Sequence, residues 1–243
     1  MKNYPNKNIL IIADTQMPYE RKDYLKFCKK MQKKHKCGRV IHIGDIADCL
    51  NFSSYERDPS CPSIPDEIES LRKSFKTWAK VFPNVECVIG NHDRRIRRKL
   101  DQAGFSEYYL PLEKIFREIL GLPKGWSIHD KIKVKTSRGP VYMLHGDERG
   151  SSVVAGSTAR KMGASVVRGH FHTKAFTTYI STHHQLIFDM IVGCGIDPKS
   201  VAFKYNKKDI DRPIFACGVI IDGVPYIEPM NLGVKKFNKD SWK

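Results

Sequence analysis

The acidic, amide and imidazole residues of this chain fall at the ends of short apolar runs. Asp14 and Gln16 close the first run; Gly44, Asp45 and Asp48 close the second; Gly90, Asn91, His92 and Asp93 close the third. Later, His145, Gly146 and Asp147 end one run, and Gly169, His170 and His172 end another. In α/β sheets ligands gather at the carboxyl ends of strands, so groups at several strand ends converge on one place. Carboxylate, amide oxygen and imidazole together suit divalent metals of intermediate hardness, such as Mn2+, Fe2+ or Zn2+. Two such ions ~3.5–4 Å apart across a shared carboxylate clamp a phosphate and lower the pKa of a shared water. Any one of these residues alone is more often a cap or turn residue. The convergence carries the reading.

The elements that must position these groups follow from the apolar pattern. Buried strands are predicted over 8–13, 39–43 and 85–89. A helix over 19–36 places Tyr24, Leu25, Cys28 and Met31 at helical spacing, and a second covers 66–81. That alternation predicts βαβ units and a parallel sheet. Further strands are expected over 128–135, 141–145, 165–168, 177–180, 186–192, 215–221 and 224–227. Most are separated by turns rather than helices, which points to a second sheet packed on the first; Asp222-Gly223 is a hairpin turn. The expectation is therefore an α/β fold of two mixed β-sheets, face to face with flanking helices, forming one domain over 1–243. Residues 51–65, with three prolines, and 199–213, basic and without glycine, are long enough to be substrate-site loops.

Composition narrows the class. The 243 residues carry 42 Lys and Arg against 26 Asp and Glu, a formal charge of +16, with 41% hydrophobic residues. So much apolar material excludes a disordered basic tail. No apolar run approaches the ~20 residues that span a bilayer, so no membrane partner is expected. The N-terminus does not read as a secretory signal. Seven cysteines without a C-x-x-C pair fit a reducing cytoplasm. The positive charge favours polyanions, nucleic acid first, although lysines spread over solvated faces would give the same sum.

The strand-end residues, taken in order, resemble the signature of the calcineurin-like metallophosphoesterases. The resemblance spans residues 8–172 and rests above all on Gly90-Asn91-His92-Asp93 and Gly169-His170-Phe171-His172. The flanks Asp58-Pro59, Trp78, Phe82-Pro83 and Arg94-Arg95 are similar to phosphoesterases encoded by bacteriophages. The resemblance implies a four-layer αββα sandwich and a cofactor of two divalent metal ions, Mn2+ foremost, with Mg2+, Fe2+ or Zn2+ as alternatives. It implies that Asp14, Gln16 and His172 hold the first ion, that Asn91, His145 and His170 hold the second, and that Asp45 bridges them. A hydroxide between the ions would attack phosphorus, with His92 beside the substrate to stabilise charge or protonate the leaving oxygen. Asp48 or Asp93 would hold the His92 tautomer, or simply bond loop backbone. The family usually carries His at the position of Gln16. A neutral amide oxygen is a weaker donor for a transition metal, so the first site is expected to be looser and to lean toward Mn2+ or Mg2+. Gln16 pointing away is the alternative, and His42, inside a strand, reads as a core or edge residue.

Substrate is approached through the remaining charge. Arg94, Arg95, Arg97, Arg98 and Lys99 follow His92 on an expected helix whose Ile96, Leu100 and Ala103 would face the core. The basic residues would then lie exposed, and Arg94, Arg95 and Arg98 are the candidates to grip phosphate. Lys26, Lys29, Lys30, Lys33, Lys34 and Lys36 read as a solvated face; Lys204, Lys207, Lys208 and Arg212 add further charge. Phe52, Tyr55, Phe171, Phe203 and Tyr205 are candidates to stack bases. The favoured reading is a metal-dependent nuclease or DNA-end-processing phosphoesterase. Alternatives are a nucleotide phosphomonoesterase of the 5′-nucleotidase type and a non-catalytic nucleic-acid-binding module. A cytoplasmic protein is expected, in an infected bacterium if the phage likeness holds, and a homodimer is kept open.

Overall fold

The computed structural model describes residues 8–54, 58–202 and 211–232. Asn8–Ala13 reads as an unbroken apolar run because both faces of its strand are covered. In β1 (Ile9–Ile12), Ile9 and Ile11 point toward a second sheet, whereas Leu10 and Ile12 point toward helices. β2 (Arg39–Ile43) and β3 (Val85–Val88) lie parallel to it in the order β1-β2-β3. Helices α1 (Tyr24–Lys34) and α2 (Ile64–Val81) connect them and pack on the outer face through Tyr24, Cys28, Met31, Leu71, Phe75 and Trp78.

Both helices differ from the expected spans for local reasons. The chain ahead of α1 is taken up by bridges of Met17 with Ala47 and of Glu20 with Ile196, so helix begins at Tyr24. α2 starts earlier than expected because Ser63 accepts a hydrogen bond from Asp66 N at 3.3 Å, an N-cap with proline in the first turn.

The predicted strand over 128–135 is two strands in different sheets. β4 (Trp126–His129) extends the first sheet beyond β3, and the turn at Asp130 and Lys131 carries the chain across to β5 (Ile132–Thr136) in the second. α3 (Arg95–Gln102) lies between β3 and β4 in the chain. The second sheet has the order β5-β6-β7-β9-β8, with β6 (Gly139–Leu144), β7 (Ser165–Arg168), β8 (Phe176–Ser181) and β9 (Leu186–Ile191). Its β6, β7 and β9 run parallel. The last strands, β10 (Ala216–Ile221) and β11 (Val224–Pro229), return to the first sheet, where β10 lies antiparallel to β1.

Ile11, Ile41, Ile43 and Val88 of one sheet meet Val134, Met143, Val167 and Met190 of the other in a shared core. α4 (Ser157–Met162) covers the outer face of the second sheet over Leu144, Val166, Ile180 and Ile187. The layers are thus α, β, β and α, two mixed sheets between helices. Inside the second sheet Arg168 and Asp189 form a fully buried, bidentate pair at 2.8–3.1 Å across β7 and β9. The same guanidinium donates to Ser152 O and Ser151 Oγ and so fixes the segment entering α4. No described helix is long and apolar enough to cross a membrane.

Candidate metal centre

Strands β1, β2 and β3 of one sheet and β6 and β7 of the other end at the same edge of the sandwich. Their loops are stitched together by backbone bonds, Gln16 N to Asp45 O at 2.9 Å and Gly169 N to His145 O at 2.8 Å. All seven residues expected as metal ligands meet there. Ligand atoms of Asp45, His145 and His170 lie within 4.8 Å of one another, as do those of Asp14, Asp45 and His172. The two groups share Asp45. Asn91 joins the first of them, its Oδ1 standing 3.0 Å from both His145 Nε2 and His170 Nδ1. In the other group His172 Nε2 lies 3.2 Å from Asp14 Oδ1.

Gln16 turns into the centre, not away from it. Its Nε2 stands 3.3 Å from His172 Nε2, and its buried Oε1 has no hydrogen-bond partner. A half-turn of the amide exchanges the two atoms and sets the oxygen against His172 Nε2. An orphaned buried oxygen, two carboxylates and three imidazoles fit a pair of divalent ions. Histidine in place of Gln16 would offer nitrogen instead. Gln16→His is expected to tighten the first site, raising bound metal measured by titration calorimetry toward two per chain at lower metal concentration. Unchanged stoichiometry and affinity would show that residue 16 is no ligand.

The loops hold this geometry under backbone strain. Asp14, Gln16, Asp45 and His170 all take the left-handed region, at φ 50°, 48°, 50° and 67°. Such conformations persist only where the surroundings over-determine them, and they concentrate at functional sites. Gly90 is required for a different reason: a Cβ there would collide with the Asp45 carboxylate and backbone.

Around the ligands lies a set of orienting bonds. His145 Nδ1 donates to Ile43 O at 3.0 Å, which aims Nε2 at the centre. Glu148 accepts from His145 N and Gly146 N. Asp14 accepts from His170 N, and Asp45 Oδ1 from His92 N at 2.9 Å. Burial opposes the charge on Asp45, yet His145 and His92 hold its carboxyl well below the usual range. Burial likewise pushes His145 down, but attraction to Asp45, reinforced by their hydrogen bond, raises it to about 10. Asp45 therefore stays ionised. In contrast, burial pushes His42 down to about 4, and its ring donates to Thr15 Oγ1 at 2.9 Å as a neutral core residue.

Asp48 and Asp93 divide the two roles open to them. Asp93 accepts from Gly90 N, Ala47 N and Ile46 N, tying the β2 and β3 loops together. Asp48 lies beside His92, with Oδ1 3.5 Å from Nδ1. That contact is electrostatic, since Nδ1 makes no hydrogen bond, while the same oxygen accepts Arg95 Nη1 at 2.6 Å.

The arginines correct the expectation of an exposed basic helix. Arg95 and Arg97 are buried, and Ala103 is exposed. Arg95 is committed to Asp48 and, through Nη2, to His92 Nε2 at 3.1 Å. Arg94 pairs with Asp147 at 2.7 Å and with Ile89 O. Of the three phosphate candidates, Arg98 is the exposed one. Among the stacking candidates, Phe52 packs partly buried against the core and Phe171 lies beside His170 and Arg168. Tyr55, Phe203 and Tyr205, with Lys204, Lys207 and Lys208, lie outside the described residues.

Glu67 escapes a reading of the sequence. Its buried carboxylate accepts Leu50 N, Asn51 N and Asn51 Nδ2, which anchors the turn after Asp48. A signal exists: Glu67 stands on the same α2 stripe as buried Leu71, Phe75 and Trp78. A carboxylate in an apolar stripe needs a partner.

The family model of calcineurin-like phosphoesterases matches residues 7–174. The chain belongs to that family of metal-dependent hydrolases. Gene 54 protein of Mycobacterium phage D29 is 24% identical over 216 residues, which cover 77% of this chain and 79% of that protein. The Gene 54 protein of Mycobacterium phage L5 is 25% identical with the same coverage. Among solved structures, the phosphoesterase Yfce from E. coli matches at a TM-score of 0.46 and 14% identity, covering 90% of each chain.

Proposed function

We propose that this chain is a phosphoesterase that acts on nucleic acid, with two divalent ions, Mn2+ foremost, held by Asp14, Gln16 and His172 and by Asn91, His145 and His170 about a bridging Asp45. The observation that supports it is the pair of ligand groups sharing Asp45. Ions bound there supply Lewis-acid charge to a phosphate and activate water. The protein's own part is positioning: Asp45 is fixed by His92 N, and the His145 ring by Ile43 O. His92, buried at the edge of the centre, is placed to exchange a proton with the leaving oxygen. Exposed Arg98 and Lys99 and the formal charge of +16 favour a polyanionic substrate. The phage relatives favour the cytoplasm of an infected bacterium as its setting.

A second reading, a nucleotide phosphomonoesterase, draws on the burial of Arg95 and the pairing of Arg94, which remove two cations from a backbone grip. A labelled oligonucleotide and deoxynucleoside monophosphates, assayed with Mn2+ across a salt series, separate the two. Cleavage of the oligonucleotide, with affinity falling linearly in log salt, is expected. Phosphate release from the monophosphates alone, insensitive to salt, would replace the nucleic-acid reading with the second.

A further inference from the structure

α3 carries the chain away from His92 and delivers it into a loop at residues 105–110. Arg97, buried at the foot of that loop, divides its guanidinium between the loop and Asp101 of its own helix. Nη1 donates to Leu110 O at 2.6 Å, Nη2 donates to Phe105 O, and Nε donates to Asp101 Oδ1 at 3.0 Å. Ser106 closes the turn, its Oγ accepting Tyr108 N and its carbonyl accepting Tyr109 N and Leu110 N. Both ends of the loop are thereby pinned by one largely buried cation.

What the loop presents is aromatic. Phe105, Tyr108 and Tyr109 are 59%, 85% and 78% exposed, and the two tyrosine rings meet edge to face at 5.1 Å. Large rings are seldom left outside a core in such density, and nothing among the described residues covers them. Exposed Arg98 and Lys99 stand on the adjoining helix, against one exposed carboxylate in the loop, Glu107. α3 is eight residues long, about 12 Å from end to end, and its first residue, Arg95, stands three positions after His92.

We infer that residues 105–109 form a stacking site for unpaired bases of a nucleic acid strand whose phosphate lies at the metal centre. The inference rests on the nucleic-acid reading above and names its substrate class: strands with unpaired bases. Every base has a flat face, so rigid exposed rings beside cations bind strand with little regard to sequence. Arg97 supplies the rigidity, holding the rings outward before a strand arrives, which lowers the ordering cost of binding.

The test measures fluorescence anisotropy of a labelled oligothymidylate of about ten nucleotides, kept intact by phosphorothioate linkages. Tyr108→Ala and Tyr109→Ala are each expected to weaken binding about ten-fold, and Tyr108→Leu equally, while Tyr108→Phe stays close to the wild-type chain. Exposure this high means that none of these changes threatens the fold, which circular dichroism checks. Undiminished affinity in the alanine variants, or a leucine variant that binds as well as phenylalanine, would overturn the stacking site. So would a wild-type dimer in sedimentation that Tyr108→Ala dissociates while strand affinity holds, since the rings would then serve a second copy of the chain. Hydrolysis of bis-p-nitrophenyl phosphate by the wild-type chain reads the metal centre separately. Activity there with tyrosine-independent binding removes only the loop. Tyrosine-dependent binding without that activity removes only the phosphodiester-cleaving reading.

Discussion

Asp45→Asn is expected to abolish hydrolysis of bis-p-nitrophenyl phosphate and to empty both metal positions together. Asp45 belongs to both ligand groups, so one substitution withdraws a charged oxygen from each. An amide retains the acceptor that takes His92 N at 2.9 Å, and its volume is almost unchanged, so the loops keep their path. What is lost is charge. The remaining carboxylate of the two groups, Asp14, then faces two cations with only amide and imidazole groups beside it. We expect activity to fall by at least ~10³-fold, the upper range for removing one electrostatic partner of the transition state. Metal bound at saturating Mn2+ should drop from two ions per chain toward none, and the metal-dependent rise in melting temperature should vanish with it. Retained turnover, or loss of turnover with two ions still bound, would overturn the bridging assignment.

Asp45 is legible from residue order alone because motif spacing and strand ends are properties of the chain itself. An apolar run, a glycine and a polar residue in order are enough to set a side chain at a sheet edge, and repetition makes the edge shared. The same reasoning fails where a residue's place depends on a partner far away in the chain. Arg95 and Arg97 read as solvated because an isolated guanidinium belongs in water. Burial becomes tolerable only through Asp48, some 47 residues earlier, or through carbonyls of a loop yet to be folded. Arg168 and Asp189 are hidden likewise, each lying in a strand that alternation marks as apolar. The join at Asp130 and Lys131 is hidden for another reason. Ile128, Ile132 and Val134 keep the parity of a single strand across the turn, so period alone does not show that the chain changes sheets. Tyr108 and Tyr109 resemble core material by type, and only their exposure sets them apart.

His92→Ala is the complementary case: turnover is expected to fall by ~10²–10⁴-fold, the range for a positioned acid or base, with both ions still bound. The backbone N–H that Asp45 accepts survives the substitution, so the ligand groups are undisturbed. The ring itself is gripped from two sides. Arg95 Nη2 approaches Nε2 at 3.1 Å, and Asp48 Oδ1 faces Nδ1 at 3.5 Å. Burial lowers the basicity of His92, but Asp45 and Asp48 outweigh it and raise the net value, with Arg95 pulling the other way. A guanidinium only donates, so the Arg95 contact is made by a ring whose Nε2 accepts. A second proton on Nε2 is incompatible with the Arg95 Nη2 contact at 3.1 Å, whereas the bond from Arg95 Nη1 to Asp48 does not involve the ring. Asp48→Asn removes the charge that favours this second proton, so its kcat should fall between those of the wild-type chain and His92→Ala, with metal content unchanged. Steady-state kinetics on bis-p-nitrophenyl phosphate, with metal analysis of the same samples, reads both quantities. Full activity in His92→Ala would remove the proton role, and metal loss in that variant would make His92 a support of the ligands instead.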